Sequence, residues 1–147
     1  MNTQADQAAE PPRRAGRSIG AVIAGFVAVV VLSLGTDQVL HVLKVYPPWG
    51  ERMADRLFAL ATAYRIVYTI LGSYITARLA PRRPMKHALV LGVAGLFFAG
   101  VGLVATWGKD LGPAWYSIGI VVTAMPCAWA GGKLYEMRAA NAVGGSR

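Results

Sequence analysis

Long stretches without charge dominate the pattern of apolar and polar positions along the chain. Four of them contain at most one charged side chain each, at 18–36, 57–77, 88–108 and 111–132. Each has roughly the twenty residues that a helix needs to cross the hydrocarbon core of a bilayer. Because lipid offers no partner to unpaired backbone groups, these stretches should be helices. The pattern predicts four membrane-spanning helices.

We predict helices over 19–45, 52–80, 86–107 and 114–137, which together form one membrane domain at 19–137. The connections are short and rich in proline, so helices that follow one another should be antiparallel neighbours. The predicted fold is therefore all-α, an antiparallel bundle of four transmembrane helices.

The two ends of the chain are polar. Residues 1–18 carry prolines and charges without an apolar period, and we expect a disordered tail there. Residues 138–147 are expected to form a second short tail. A cleaved signal peptide is the alternative for the first apolar stretch, but that stretch runs to full bilayer length and no A-x-A-like site follows it.

Basic residues are distributed unequally between the two ends of the predicted bundle. Of 15 Lys and Arg, three lie in the first tail, four in the loop between the second and third helices, and three after the fourth apolar stretch. Such an excess is typical of the cytoplasmic side. We therefore expect both termini in the cytoplasm and the protein in the cell inner membrane. The loop residues Arg78, Arg82, Arg83 and Lys86 are candidates for binding lipid headgroups.

Composition supports a membrane location and narrows the chemistry. The chain is 55% hydrophobic and only 15% charged, whereas an average soluble domain is roughly a quarter charged. Its one cysteine, Cys127, excludes an internal disulfide and any C-x-x-C motif. The net charge of +8 follows from the cytoplasmic excess, so we expect the lipid bilayer as a partner and no nucleic acid.

Arg65 lies well inside the second predicted helix, where an unpaired guanidinium costs a few kcal/mol. Asp37 is the acid that enters a span at a similar depth, so we predict an ion pair between them. The candidate intramembrane polar site contains six residues: Asp37, Gln38, His41, Tyr64, Arg65 and Tyr68. Two interpretations are open: a cavity for a proton, an anion or a small polar ligand, or a structural pair that fixes helix register.

Small residues recur along the third helix at alternating steps of four and three. They form a predicted packing seam: Ala88, Gly92, Gly95, Ala99 and Gly102. In lipid, helix association depends on such close contacts, either within the bundle, which we favour, or between two copies of the chain. Pro126 lies in the middle of the fourth helix and predicts a kink there.

Catalytic and cofactor motifs are lacking: the sequence has no G-x-S-x-G, P-loop, dinucleotide fingerprint or H-E-x-x-H. His41 and His87 fall at opposite membrane faces and cannot share one haem. We therefore expect no cofactor, no metal and no enzymatic activity. The favoured hypothesis is an accessory or structural subunit in a homo-oligomer or a larger membrane complex. The alternative is a small transporter or channel subunit that uses Asp37 and Arg65.

Two short motifs give the chain a family resemblance. Tyr64 and Arg65 are adjacent in the second helix, and Arg78-Leu79-Ala80-Pro81 opens the loop that follows. In pairing these motifs the chain resembles small four-span bacterial inner-membrane proteins. That resemblance implies a membrane location and supplies no mechanism.

Overall fold

Four α-helices make up most of the described part of the chain. The computed structural model describes residues 12–144, with side chains from residue 15 onwards. The helices are α1 (Pro12–Val42), α2 (Asp55–Leu79), α3 (Pro84–Thr106) and α4 (Ala114–Gly144). All four are long and apolar enough to cross a membrane. The prediction of an all-α, four-helix fold is confirmed, and no strand occurs between residues 12 and 144.

The two outer ends of the helical domain extend further than the sequence predicts. Helix α1 begins at Pro12, so residues 12–18 are helical where a disordered tail is expected. Proline favours the first position of a helix because its φ is already helical and its missing N–H is not needed there. Helix α4 continues to Gly144 through a segment rich in good helix formers. The remaining tail residues, 1–11 and 145–147, lie outside the described chain.

The first connection folds back onto the bundle. Helix α1 ends at Val42, three residues before the predicted end, and Lys44 adopts a left-handed backbone with φ of 57°. The N–H groups of Val45 and Tyr46 then both donate to the carbonyl oxygen of Leu40. This turn returns Tyr46 to the helices, where it is buried.

Contacts between aromatic rings show how the four helices are arranged. Helices adjacent in sequence run antiparallel, while α2 and α4 run parallel, with Phe58 against Tyr116 near one end and Tyr74 against Tyr135 near the other. Helix α2 packs against all three other helices, whereas no Cα of α1 lies within 8 Å of a Cα of α4 over residues 12–144. Pro12 of α1 and Gly144 of α4 therefore lie at one end of the bundle, which we call the termini end. The opposite end, with connections 43–54 and 107–113, is the loop end.

Small residues pack the half of the bundle nearer the termini end. A Cβ added to Gly92 would lie 2.6 Å from Cβ of Ala128, and one added to Gly131 would lie 2.6 Å from Cβ of Ser73. Ser73 itself is completely buried. The helices approach one another so closely there because these positions carry almost no side chain.

The half nearer the loop end is more open. A Cβ at Gly95 or Gly102 would meet no atom within 4 Å. The predicted seam on α3 is therefore divided: Ala88 and Gly92 are buried close to α4, whereas Gly95, Ala99 and Gly102 line a cavity of about 450 Å³. The regular spacing of the small residues continues past the point where α3 separates from its neighbours, and spacing alone does not reveal that separation.

Candidate functional site

An ion pair between α1 and α2 forms the centre of the candidate site. Nη2 of Arg65 lies 2.6 Å from Oδ2 of Asp37, and Asp37 is only 8% exposed. Arg65 is ten positions into α2, about 15 Å along the helix axis at 1.5 Å per residue. Both charges are thus inside helices that are long enough to span a membrane, and the sequence predicts this pairing from their similar depth.

Tyrosines complete the coordination of the carboxylate. The hydroxyl of Tyr64 donates to Oδ1 of Asp37, so adjacent residues of α2 engage both carboxylate oxygens. The hydroxyl of Tyr46 lies 3.3 Å from that of Tyr64 and 3.4 Å from the carbonyl oxygen of Leu57. Tyr64 gives its one hydrogen to Asp37, so the single hydroxyl hydrogen of Tyr46 is shared between the carbonyl oxygen of Leu57 and the hydroxyl of Tyr64. Burial raises the pKa of Tyr46 above its ordinary value, so its phenol keeps this hydrogen at neutral pH.

Aromatic rings cover the group formed by Asp37, Arg65, Tyr64 and Tyr46 at the loop end. We call this group, with the rings over it, the cluster. Nδ1 of His41 lies 2.7 Å from the carbonyl oxygen of Asp37 and must carry a hydrogen, since a carbonyl only accepts. The His41 ring stacks on Trp49 with ring centroids 3.8 Å apart and planes 7° apart. It also meets the ring of Tyr46 edge-on at 5.3 Å. The first connection therefore lies over the ion pair through Trp49 and Tyr46.

The remaining two predicted members of the polar site have different positions. The hydroxyl of Tyr68 lies 2.9 Å from Oγ1 of Thr36, which adds a second polar contact between α1 and α2. Gln38 is exposed and makes no hydrogen bond among the described residues. One residue after Asp37, a helix has turned by about 100° and carries the side chain away from α2. The place of Gln38 in the polar site stays a prediction.

Two cavities adjoin Arg65. One, of about 170 Å³, is lined by Asp37, His41 and the first connection. The larger, of about 450 Å³, is bordered by all four helices and lined mostly by apolar side chains. Arg65 and Tyr116 line both. The guanidinium therefore lies between a smaller space at the loop end and a larger, more apolar space deeper in the bundle.

The donors of Arg65 are only partly used. Nη2 donates to Asp37, while Nε is buried without a hydrogen-bond partner. Nη1 makes no hydrogen bond within the described part of the chain, and the side chain as a whole is 32% exposed. The cluster can therefore fix α1 against α2 and still offer N–H donors to an added group.

Several residues of the cluster are not predicted from the sequence. Tyr46 and Trp49 lie beyond the apolar stretches, and their positions depend on the backbone reversal at Lys44. Tyr116 lines the same two cavities as Arg65 because α2 and α4 run parallel, with the Tyr116 and Phe58 rings 5.0 Å apart. The Pro47-Pro48 pair is the sequence feature that could indicate this reversal, since it marks a turn directly after Tyr46.

The other predicted residues lie away from the cluster. The basic residues Arg78, Arg82, Arg83 and Lys86 are exposed at the termini end, where His87 lies as well. Pro126 is exposed within α4, which is assigned as one helix from Ala114 to Gly144, and the kink stays a prediction. Across residues 12–144 no group of three or more His, Cys, Asp or Glu side chains could hold a metal ion.

Comparison with known proteins identifies no relative of the chain. No protein-family model matches the chain, and comparisons with curated proteins and with solved structures find no match either. The resemblance to small four-span bacterial membrane proteins consists of two motifs, of which Tyr64-Arg65 lies in the cluster and 78–81 begins at the end of α2.

Proposed function

We propose that the protein is a non-enzymatic accessory subunit of the cell inner membrane, with four spans and both termini in the cytoplasm. It works in a homo-oligomer or a larger membrane complex. The observation that carries this proposal is the engagement of both carboxylate oxygens of Asp37 by α2, next to a tightly packed termini end. Such a bundle is a stable unit with fixed helix register, which suits a structural role.

The distribution of charge supports the proposed orientation. The exposed basic residues Arg78, Arg82, Arg83 and Lys86 lie at the termini end. At the loop end, Arg52 and Asp110 pair with each other between the two connections. The termini end therefore carries the excess of positive charge that favours the cytoplasmic side.

A small transporter or channel subunit is the second candidate. It is favoured by the position of Arg65 between two cavities, since ionisable groups inside a membrane often lie on ion or substrate pathways. Against it, close contacts of Gly25, Gly92 and Gly131 fill the half of the bundle nearer the termini end. A transport cycle would have to separate these contacts.

The double substitution Asp37→Asn with Arg65→Leu distinguishes the two candidates. The tagged full-length chain is purified in mild detergent to identify co-purifying subunits, and is also reconstituted into vesicles to measure proton and chloride flux. The accessory role predicts that the wild-type chain co-purifies with a defined assembly and carries no flux above empty vesicles. It also predicts that the double variant loses part of that assembly.

Wild-type flux that the double substitution abolishes, with assembly retained, would establish transport and contradict the accessory role. Arg52→Leu with Asp110→Asn is the matched control, because it removes the exposed ion pair at the loop end. We expect this control to change neither assembly nor flux.

A further inference from the structure

The 450 Å³ cavity lies where the helices of the loop-end half separate. Its walls are mostly apolar, with Phe26 and Phe98 packed against each other at 5.3 Å on one side. Its volume falls in the range of roughly 300–1,000 Å³ that is common for ligand-binding cavities. The backbones of α1 and α4 stay more than 8 Å apart at every Cα over residues 12–144, and the cavity lies between side chains of both helices.

Polar groups that no described residue uses for a hydrogen bond also line this apolar space. Among them are the hydroxyls of Ser33 of α1 and Ser117 of α4, and Nη1 of Arg65 of α2, whose Nη2 donates to Asp37. Ser33 is 7% exposed, and its hydroxyl makes no hydrogen bond among the described residues. Helical serines commonly donate to the carbonyl four residues earlier, as Thr69 and Thr123 do here, but Ser33 and Ser117 do not. An apolar cavity with a few unpaired polar groups is a typical ligand site.

The charge of the site determines the class of ligand. Asp37 and Arg65 together are neutral, so a second anion beside Arg65 would leave uncompensated negative charge in a low-dielectric space. A neutral oxygen acceptor carries no such penalty and would accept from Nη1 and from the serine hydroxyls. The apolar walls require the rest of the molecule to be hydrocarbon.

We propose that this cavity binds an uncharged amphiphile whose polar end carries carbonyl oxygens beside Arg65, Ser33 and Ser117 and whose apolar body contacts α1, α3 and α4. A membrane quinone and the glycerol ester of a neutral bilayer lipid share this chemistry. The site is independent of the subunit role, because assembly and ligand binding are measured separately.

The test uses the full-length protein in detergent with four probes. Decyl-benzoquinone and dioctanoylglycerol carry neutral carbonyls, decanoate carries an anion, and decane has no polar group. Native mass spectrometry gives the stoichiometry and thermal unfolding gives the stabilisation at each concentration. We expect saturable binding of one neutral carbonyl amphiphile per chain. Preference for decyl-benzoquinone would identify a quinone, and preference for dioctanoylglycerol a bilayer lipid.

Two glycines of α3 provide a matched pair of variants. Gly95 lines the cavity and Gly100 does not, and a Cβ at either meets no atom within 4 Å. Gly95→Leu should fill the cavity and weaken binding at least about tenfold, whereas Gly100→Leu should leave it within about twofold. Ser33→Ala with Ser117→Ala keeps the cavity open and should weaken binding about tenfold through the lost hydrogen bonds.

Three outcomes would overturn the proposal. They are the absence of saturable binding by either carbonyl probe, equal or tighter binding of decanoate or decane, and unchanged binding in both Gly95→Leu and the double serine variant. The unfolding midpoint of each variant without ligand shows whether a loss of binding reflects the cavity or a loss of fold.

Discussion

The backbones of Gly25 and Gly72 meet where α1 crosses α2. A Cβ added to Gly25 would lie 2.5 Å from the carbonyl oxygen of Gly72, and one added to Gly72 would lie 2.8 Å from the carbonyl oxygen of Gly25. Oγ1 of Thr76 closes the remaining space at Gly25. The two helices therefore depend on glycine at this crossing, nearer the termini end than the Asp37–Arg65 pair.

Gly25→Ala should separate α1 from α2 at this point. The added methyl group would meet backbone, which cannot rotate away, so we expect a loss of about 1–3 kcal/mol in the free energy of unfolding. Unfolding in mixed micelles of increasing SDS content measures it. Gly20→Ala is the control, because nothing lies within 4 Å of a Cβ there and alanine favours a helix. Equal effects of the two substitutions would contradict the close crossing.

Tyr64→Phe should weaken the cluster without changing its shape. It removes the donor to Oδ1 of Asp37 and leaves Tyr46 without its partner hydroxyl. We expect a destabilisation of about 1–3 kcal/mol, because the hydrogen bond is to a charged group. The same measurement on Tyr74→Phe gives the baseline, since Tyr74 makes a ring contact with Tyr135 and no hydrogen bond through its hydroxyl within residues 12–144. If both variants lose the same free energy, the hydroxyl of Tyr64 has no special role.

The sequence predicts contacts that depend on how deep a residue lies within an apolar stretch. It does not predict contacts that depend on where the chain reverses direction between helices. The four spans follow from the lengths of the apolar stretches, and Asp37 meets Arg65 because an antiparallel hairpin brings equal depths together. The sequence places Gln38 beside Asp37, but the helix carries its side chain away from α2. It does not predict the position of Trp49, because the left-handed turn at Lys44 has no glycine to mark it.

The sequence also does not predict that the half of the bundle nearer the loop end is open. Gly92 and Gly95 belong to the same repeat of small residues, yet only Gly92 has close neighbours. Whether a small residue packs against a helix or borders a cavity depends on how far neighbouring helices diverge.

The proposed orientation predicts which loops a membrane-impermeant maleimide can reach. In a Cys127→Ala background, Glu51→Cys and Lys109→Cys should be labelled on intact cells, because both positions are exposed at the loop end. Arg82→Cys, exposed at the other end, should be labelled only after permeabilisation. The reverse labelling pattern would place the termini outside the cytoplasm.

A double-mutant cycle on Asp37 and Arg65 tests most directly whether their ion pair locks α1 to α2. Arg65→Leu leaves a carboxylate buried without its cation, so we expect a loss of about 3 kcal/mol in the free energy of unfolding. With Asp37→Asn added, the double variant should lose at least about 1 kcal/mol less than the sum of the two single variants. The exposed pair of Arg52 and Asp110, with side chains 49% and 84% accessible, should couple by less than about 0.5 kcal/mol. Strictly additive losses for Asp37 and Arg65 would contradict the lock.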